Sequence, residues 1–335
     1  MSDRKKDHIN QAFQARVEKD EADKRFNYEP LLSAHPVEKL TPFSFAGKTM
    51  QLPLWISSMT GGTPQAGAIN RNLARACNEF GLGMGVGSCR ALLRNNQYLD
   101  DFNLRPIIGQ DSPFYANLGI AQLEHLIEEK AVDKISKLID LLQADGIIIH
   151  INPLQEAFQP EGEVFKRPPL DTIQEFLEIT NTRVIIKEVG QGMGPESIER
   201  LLHLPIEAIE FGALGGTNFT LLELLRSKSD DLTAFEAFGK IGHTAEEMTQ
   251  MINEVVSKSN TYKCKQLIIS GGITHILDGY YLQQLSKLTS VIGMGSALLK
   301  FASGEYEELQ RYLKQVERSY QLALAYLKIR EKSKL

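Results

Sequence analysis

The chain has 335 residues, of which 42% are hydrophobic and 24% are charged. This length and composition indicate a soluble globular protein with one large domain or two ordinary ones. The net charge of −5 argues against a general nucleic-acid-binding protein, which would need a basic surface.

The cysteines and the N-terminus predict a cellular location. Cys77, Cys89 and Cys264 are widely separated and lack the spacing of a disulfide framework or a zinc site. The first residues are charged where a signal peptide would need an apolar core. No run approaches the roughly 18 apolar residues of a membrane span. We therefore expect a cytoplasmic protein that binds neither nucleic acid nor membrane.

Residues 1–50 are predicted to form an N-terminal extension. Ile9, Phe13 and Val17 recur every fourth residue between charges, which predicts a short amphipathic helix within residues 4–25. Residues 28–50 combine short mixed runs with proline and glycine turn signals. This pattern predicts hairpin-like lead-in strands.

Residues 51–335 alternate between short apolar runs and helical patterns. The eight runs predicted as strands are 52–57, 82–86, 114–116, 146–149, 184–186, 208–211, 266–269 and 290–292. The main helical patterns lie at 69–80, 123–142, 170–180, 195–203, 276–286 and 305–332, with further helices between 217 and 258 and after 296. Eight alternating units predict an α/β fold, a single (β/α)8 TIM barrel with an N-terminal lead-in and a C-terminal helix. An open doubly wound sheet is the alternative, but it does not need functional residues at all eight strand ends.

The fourth predicted strand ends in an unusual polar sequence. Residues 150–162 read HINPLQEAFQPEG, which places His150, Asn152, Gln155 and Glu156 directly after a buried apolar run. Polar groups at a buried strand end cost stability unless they are paired, so their clustering predicts a site. Glu156 is a candidate Mg²⁺ ligand, because magnesium commonly takes one or two carboxylates and bridges substrate phosphates.

Cations near this sequence predict a small anionic substrate. Arg90 follows the second strand, and Arg4 and Lys5 would join it if the N-terminal helix covered the barrel mouth. Because the chain shows no nucleotide-binding loop and no nucleophile dyad, we expect a diphosphate that is held rather than cleaved.

The loops after the last two strands are rich in glycine. Gly271-Gly272 and residues 293–296 stand where such barrels commonly bind phosphate through bare backbone N–H groups. Lys187 after the fifth strand would place a cation near an electron-rich ring. The remaining donors and acceptors of a flat heteroaromatic cofactor site would be Ser58, Met59, Thr60, Ser88, Asn117 and Thr217. This combination favours FMN over NAD, since no GxGxxG motif follows the first strand. The alternative for Lys187 is a structural ion pair with Glu188 or Glu210.

The motifs together resemble type 2 isopentenyl diphosphate isomerases, the flavin-dependent kind. The resemblance runs from about residue 4 to about residue 300. It rests on RKKDHI, SSMTGG, GVGSCR, NLG, HINPLQE with QPEG, KEVGQGMG, GGTNF, SGGI and GMGSALLK, in that order.

The resemblance implies an activity and its cofactors. It implies a TIM barrel that binds FMN, interconverts isopentenyl and dimethylallyl diphosphate with Mg²⁺, and uses NADPH only to reduce the flavin. It also implies a homotetramer or homo-octamer. Reduced FMN would act as acid and base through its N5 region, and Gln155 with Glu156 is the alternative proton route.

The resemblance also assigns residues. FMN contacts would be Ser58, Met59, Thr60, Ser88, Asn117, Lys187, Thr217, Gly272, Ile273, Thr274, Gly295 and Ser296. Substrate contacts would be Arg4, Lys5, Ser88, Cys89, Arg90, His150, Asn152 and Gln155, and Glu156 would bind Mg²⁺. The candidate catalytic residues are Gln155, Glu156, Lys187 and His150.

Three positions depart from the family pattern. Cys89 stands where relatives usually carry glutamine, which removes a hydrogen bond to substrate. Thr274 stands where many relatives have an arginine, which removes a charge from the phosphate end. Residues 235–244 replace a segment that holds a Trp-Gly pair in relatives.

Two other functions are alternatives to the isomerase activity. An FMN-dependent 2-hydroxy-acid oxidase or dehydrogenase would need a strand-end histidine base and an arginine, and the sixth strand ends in GALGGT with neither. A flavin-binding paralogue without isomerase activity is the other, and Cys89 and Thr274 are its only support.

Overall fold

The computed structural model describes residues 2–58, 61–226 and 235–330. The chain opens with helix α1 (Ser2–Gln11), which ends before Phe13 and Val17. Both of these side chains and Ile9 are exposed, so the apolar residues spaced four apart do not form a buried face of a helix. The lead-in strands are β1 (Phe26–Tyr28), β2 (Phe43–Phe45) and β3 (Lys48–Met50).

The predicted hairpin closes the bottom of the molecule. Strands β2 and β3 pair antiparallel, with Phe43 opposite Met50. Phe45 and Met50 are fully buried against side chains inside the barrel, among them Trp55 and Tyr115. The turn is fixed to the barrel where the Ala46 N–H donates to Gln266 Oε1 at 2.8 Å. The hairpin therefore acts as an apolar plug at the amino ends of the strands.

Eight parallel strands form a closed barrel, as predicted. They are β4 (Leu54–Ile56), β5 (Gly83–Gly85), β6 (Phe114–Gly119), β7 (Gly146–Ile151), β8 (Val184–Glu188), β9 (Ala208–Glu210), β10 (Gln266–Ser270) and β11 (Thr289–Met294). The strands are adjacent in chain order, and β11 pairs with β4 to close the ring. Strand β7 reads GIIIHI, and its three central isoleucines are fully buried, as expected where both faces of a parallel sheet are covered.

Helices surround the barrel. They are α2 (Pro64–Phe80), α3 (Leu99–Phe102), α4 (Arg105–Ile108), α5 (Ile120–Glu128), α6 (Asp133–Leu142), α7 (Pro153–Phe158), α8 (Pro169–Ile179), α9 (Pro195–Leu202), α10 (Phe219–Arg226), α11 (Ala245–Lys258), α12 (Ile276–Leu285), α13 (Ser296–Ala302) and α14 (Tyr306–Tyr326). Short 3-10 turns occupy Arg90–Leu93 and Glu236–Lys240. Helix α2 shows how the sequence sets its ends, since Thr63 caps the Ala66 N–H at 3.2 Å and Gly81 ends it with φ +62°.

Several predicted boundaries differ from those in the structure, and three examples concern helices. The pattern at 123–142 forms two helices, α5 and α6, because the chain turns at Lys130 with φ +52°. The C-terminal helix ends at Tyr326, and β12 (Leu327–Ile329) pairs antiparallel with β1. The polar sequence after β7 was not predicted to be helical, but it opens helix α7 at Pro153. The spacing of apolar residues does not predict where such helices end, because the end is determined by one residue with positive φ or by pairing with a strand distant in sequence.

Across the three described ranges, no helix combines the length and the apolar character that crossing a bilayer requires.

Candidate active site

Two adjoining cavities lie where the carboxyl ends of the strands converge. The glycine cavity, about 330 Å³, is bordered by the ends of β4 and of β8 to β11; among its lining residues are Ser58, Lys187, Glu210, Thr217, Gly272, Ile273, Thr274, Gly295, Ser296 and Lys300. The amide cavity, about 400 Å³, is lined by Ser88, Arg90, Ala91, Arg94, Gln122, His150, Asn152, Gln155, Glu156 and Gln159. A larger cavity of about 710 Å³ lies at the opposite end, beside residues 33–43, and contains none of the predicted site residues. The chemistry, rather than the size, therefore points to the carboxyl face.

The glycine cavity owes its shape to residues that cannot carry a side chain. Gly271 has φ +95°, and a Cβ there would lie 2.1 Å from the Ala213 carbonyl oxygen. Gly215 has φ +106°, and its Cβ would lie 2.8 Å from the Gly272 Cα. The loops after β9 and β10 therefore pack backbone against backbone and present little but main chain to the cavity.

The rim of the glycine cavity is fixed by Asp278. Its Oδ2 atom accepts hydrogen bonds from the Thr274 N–H at 2.9 Å, the Thr274 hydroxyl at 2.7 Å and the His275 N–H. Its Oδ1 atom binds Arg25 Nη1 at 2.8 Å. Because both its N–H and its hydroxyl proton are donated to Asp278, Thr274 offers a ligand only acceptor oxygens in this conformation.

Three polar side chains stand side by side across the strand ends. His150 pairs in register with Lys187, and Lys187 pairs with Glu210. Lys187 is buried, and its Nζ donates to the Glu188 carbonyl oxygen at 2.6 Å. Among its described contacts, it thus bonds a backbone oxygen of Glu188 rather than either of the carboxylates considered from the sequence.

Glu210 is the most unusual of these groups. It is fully buried, and neither carboxylate oxygen has a hydrogen-bond partner within the described residues. Burial raises the pKa of Glu210, and the nearby Lys187 charge acts in the opposite direction. The Ser57 and Ser58 hydroxyls are likewise buried without partners. Unsatisfied groups of this kind at a cavity wall indicate a ligand-binding surface.

His150 is held as a neutral imidazole. Its Nδ1 lies 2.7 Å from Asn117 Oδ1, while Asn117 Nδ2 donates to the Val86 carbonyl oxygen at 3.0 Å. Because the Asn117 oxygen accepts, Nδ1 of His150 carries the proton and Nε2 is the acceptor. Burial, with the Lys187 charge, lowers the pKa of His150 to about 3. At neutral pH His150 therefore carries no positive charge, and its free ring atom, Nε2, can only accept a hydrogen bond from a ligand.

This geometry predicts an acid-sensitive fold. The pKa of His150 is about 3 when folded and about 6.5 when unfolded, so the stability due to a neutral His150 is complete above pH 6.5 and declines as pH falls towards 3. Between pH 7 and 4.5, His150→Gln should lose less unfolding free energy than wild type, by on the order of 1–3 kcal/mol. Urea denaturation at both pH values measures this, with exposed His203→Gln as the control. Equal acid losses in His150→Gln and wild type would contradict the assignment.

Asn152 connects the predicted metal carboxylate to the predicted substrate amide. Its Nδ2 donates to Glu156 Oε1 at 2.9 Å and to Gln155 Oε1 at 3.1 Å. The Glu156 carboxylate is largely buried, and its Oε2 also accepts from Gln159 Nε2 and the Glu163 N–H, each at 2.8 Å. Asn152 Oδ1 is buried with no partner within the described residues. The Glu156 carboxylate on α7 and the unpaired Asn152 Oδ1 just before the helix therefore belong to side chains that contact each other.

Gln122 lines the amide cavity and Glu163 contacts two of its lining residues, and neither was predicted. Glu163 Oε1 lies 3.4 Å from Arg90 Nη1, and Glu163 Oε2 accepts from Gln122 Nε2 at 2.5 Å. Glu163 follows directly after the QPEG motif, so extending the motif by one residue would have included it. Gln122 lies within a helical pattern and gives no sequence signal of its own.

Glu223 was also missed, although the sequence of α10 carries a signal. The helix reads FTLLELLR, and its buried residues are Thr220 and Glu223, while Leu225 is exposed. Glu223 Oε1 accepts from Gln155 Nε2 at 3.3 Å. A helix that buries its polar face at a barrel mouth points those groups towards a site.

Several predicted residues lie outside both cavities. Arg4 and Lys5 are exposed on α1. Asn117 lies behind His150. Cys89 is fully buried, its N–H donates to the Asn117 carbonyl oxygen at 2.8 Å, and burial raises the pKa of its thiol to about 12. Met59 and Thr60 lie outside the described residues.

Solved structures share this architecture at low sequence identity. A mandelate oxidase variant matches 90% of this chain and 82% of its own, with 13% identity and a TM-score of 0.57. A flavocytochrome b2 variant matches 90% of this chain and 72% of its own, with 11% identity and a TM-score of 0.61. Identities this low show a shared barrel fold and nothing further. No protein-family model matches the sequence.

Sequence relatives extend over most of the chain. An isopentenyl-diphosphate delta-isomerase of Rickettsia typhi is 34% identical over 282 residues, 83% of this chain and 79% of the relative. One from Synechococcus is 32% identical over 321 residues, 93% of this chain and 88% of the relative. One from Ignicoccus hospitalis is 32% identical over 290 residues.

Fold and site together define a (β/α)8-barrel enzyme with its chemistry at the carboxyl ends of the strands. Within that class, the identity to the relatives places the chain in one family. It belongs to the type 2 isopentenyl-diphosphate delta-isomerases, as the motifs predicted.

Proposed function

We propose that this chain interconverts isopentenyl and dimethylallyl diphosphate, a reaction of isoprenoid biosynthesis. The observation that carries the proposal is the identity to isopentenyl-diphosphate delta-isomerases over 83–93% of the chain. The adjoining cavities support it, because one suits a flat cofactor and the other a small anion. The loop after β9 contains neither the histidine nor the arginine that a 2-hydroxy-acid oxidase would need, although such enzymes share the fold.

FMN fits the glycine cavity. The buried, unpaired hydroxyls of Ser57 and Ser58 and the Glu210 carboxylate match a ring whose edge carries both donors and acceptors. The glycine loops leave backbone at the end where a phosphate would lie. The residues of this cavity proposed to hold FMN are Ser58, Lys187, Thr217, Gly272, Ile273, Thr274, Gly295 and Ser296, while Met59, Thr60, Ser88 and Asn117 stay as predictions from the resemblance. When bound and reduced, FMN supplies an electron-rich surface that lowers the free energy of a nearby carbocation.

Mg²⁺ fits the amide cavity through Glu156. In the part of the chain that the structure describes, no cluster of three or more histidine, cysteine or acidic side chains forms a complete metal cage. One carboxylate is nevertheless enough for magnesium, which keeps waters and bridges substrate phosphates. The unpaired Asn152 Oδ1 beside Glu156 adds an acceptor for such a water. We propose Glu156 as the metal ligand.

The diphosphate is proposed to lie against Arg90, with Ser88, His150, Asn152 and Gln155 around it. Arg90 lines the amide cavity and is 40% exposed, so its guanidinium can reach a ligand although it also pairs with Glu163 at 3.4 Å. Arg4, Lys5 and Cys89 stay as predictions from the resemblance. His150 and Asn152 are proposed to form the polar wall beside the diphosphate. Gln155 with Glu156 is the alternative route for proton movement.

The remaining proposals concern the reductant, the cellular location and the oligomeric state of the enzyme. We expect NADPH to serve as the reductant that prepares the flavin, and we expect a cytoplasmic homotetramer or homo-octamer. Exposed apolar side chains on the lead-in segment, Leu31, Leu32 and Val37, support association between subunits.

An anaerobic assay tests the proposed function. The protein is incubated with FMN, NADPH, Mg²⁺ and isopentenyl diphosphate in deuterated water, and the products are followed by NMR. We expect dimethylallyl diphosphate that carries deuterium. A yellow, reducible protein that gives no product and no exchange would contradict the proposal and favour a flavin-binding paralogue without this activity.

A further inference from the structure

Glu223 is a buried carboxylate whose two oxygens bind two different side chains. Its side chain is 3% exposed, on helix α10. Oε1 accepts from Gln155 Nε2 at 3.3 Å, and Oε2 accepts from Arg226 Nη1 at 2.5 Å. A carboxylate buried this deeply is costly unless a cation compensates it, and Arg226 is the cation that the described contacts provide.

Gln155 can take only one amide orientation in this setting. Its Oε1 accepts from Asn152 Nδ2, and its Nε2 donates to the Glu223 carboxylate. If the amide reversed, an NH₂ group would face the Asn152 NH₂ group, and a carbonyl oxygen would face a carboxylate oxygen. Each reversed contact would lose a hydrogen bond and add a repulsion. The orientation of Gln155 therefore depends on both Asn152 and Glu223, and Glu223 fixes the N–H side of the amide.

Arg226 is itself held at two points. Its Nη2 lies 3.0 Å from Glu161 Oε1, in the loop that follows α7, while its Nη1 binds Glu223 one turn earlier on α10. The guanidinium thus links α10 to the segment that carries Gln155 and Glu156. A planar guanidinium with several fixed donors suits such a bridge better than an ammonium group.

We propose that Arg226 is a positioning residue of the isomerase site, acting on Gln155 through Glu223. Arg226 holds the Glu223 carboxylate in place, Glu223 sets the amide orientation of Gln155, and Gln155 then presents one N–H and its oxygen lone pair to the amide cavity. Arg226 does not line either cavity, so it acts without touching the substrate. This inference rests on the proposed function.

The test compares Arg226→Met and Arg226→Lys with wild type in the deuterium-exchange assay. Arg226→Met should lower kcat by about 10- to 100-fold with little change in KM, because small misplacements of a positioning group cost rate. Arg226→Lys should recover part of the loss. Arg167→Met, which removes another guanidinium paired with a half-exposed carboxylate, Glu175, away from both cavities, should behave as wild type.

A double variant distinguishes a specific effect on the position of Gln155 from a general loss of structure in the site. In a Gln155→Ala background, Arg226→Met should reduce kcat by no more than about twofold, since the group it positions is gone. An equal loss in both backgrounds, or full activity of Arg226→Met alone, would overturn the proposal. Wild type without turnover would instead count against the proposed function.

A crystal structure of Arg226→Met gives a readout that needs no turnover. We expect the contact between Gln155 Nε2 and Glu223 Oε1 to open beyond hydrogen-bonding distance, with the barrel unchanged. If that contact stays at its wild-type length, the positioning role is excluded whatever reaction the site performs.

Discussion

Replacing Glu156 by glutamine is expected to weaken Mg²⁺-dependent substrate binding by about 100-fold or more while leaving bound FMN yellow. The amide keeps the shape of the side chain but loses the charge that attracts the metal. Three donors also converge on this carboxylate, from Asn152, Gln159 and the Glu163 N–H. The NH₂ group of glutamine would face one of these donors and could not accept from it. The site would therefore lose the negative charge and at least one hydrogen bond.

Isothermal titration with and without Mg²⁺ measures this prediction, together with the flavin absorbance of the variant. Glu128→Gln is a suitable control, because Glu128 pairs with Lys166 at the surface, away from both cavities. If Glu156→Gln bound substrate with the Mg²⁺ dependence of wild type, Glu156 would have no role at the metal.

The barrel could be predicted from sequence because its signals are local. Each strand is a short apolar run, and each run ends in small or polar residues where the site begins. The ends of helices were less predictable, as Lys130 and β12 show, since a backbone turn or a strand 300 residues away decides them. Element type therefore follows from pattern, whereas element boundaries depend on tertiary contacts.

The candidate site was predictable in part for the same reason. Motif residues such as His150, Gln155 and Glu156 lie at or just after the end of one strand, and the structure brings them together around one cavity. Glu163, Gln122 and Glu223 come from other elements, and only the fold shows that they contact those motifs. The state of His150 was not predictable either. Its low pKa arises from burial and from Lys187 on the next strand.

Replacing Lys187 by methionine is expected to weaken FMN binding by about 10- to 100-fold, with a larger loss for the reduced flavin. Hydrogen bonds to charged groups contribute about 1.5–3 kcal/mol, which corresponds to this range. Because the cation favours the anionic reduced ring over the neutral oxidised ring, its removal should also lower the reduction potential. Flavin fluorescence titration and potentiometry against a reference dye measure the two effects.

Lys48→Met is the matched control. Like Lys187, Lys48 donates to a backbone carbonyl oxygen, that of Gln110, and it also pairs with Asp145 at 3.4 Å, but it lies at the other end of the barrel. We expect this variant to bind FMN as wild type does. If Lys187→Met kept the FMN affinity and the flavin reduction potential of wild type, Lys187 would have only a structural role.

A double variant distinguishes two causes of the loss. Lys187 lowers the pKa of Glu210, so its removal alone leaves a fully buried acid without a nearby cation. If that acid caused the loss, Lys187→Met with Glu210→Gln would bind FMN as well as Glu210→Gln alone, because a neutral amide needs no counter-charge. If Lys187 acts on the flavin, the double variant would keep both the weak binding and the low potential. We expect the second result, since Lys187 lines the glycine cavity itself.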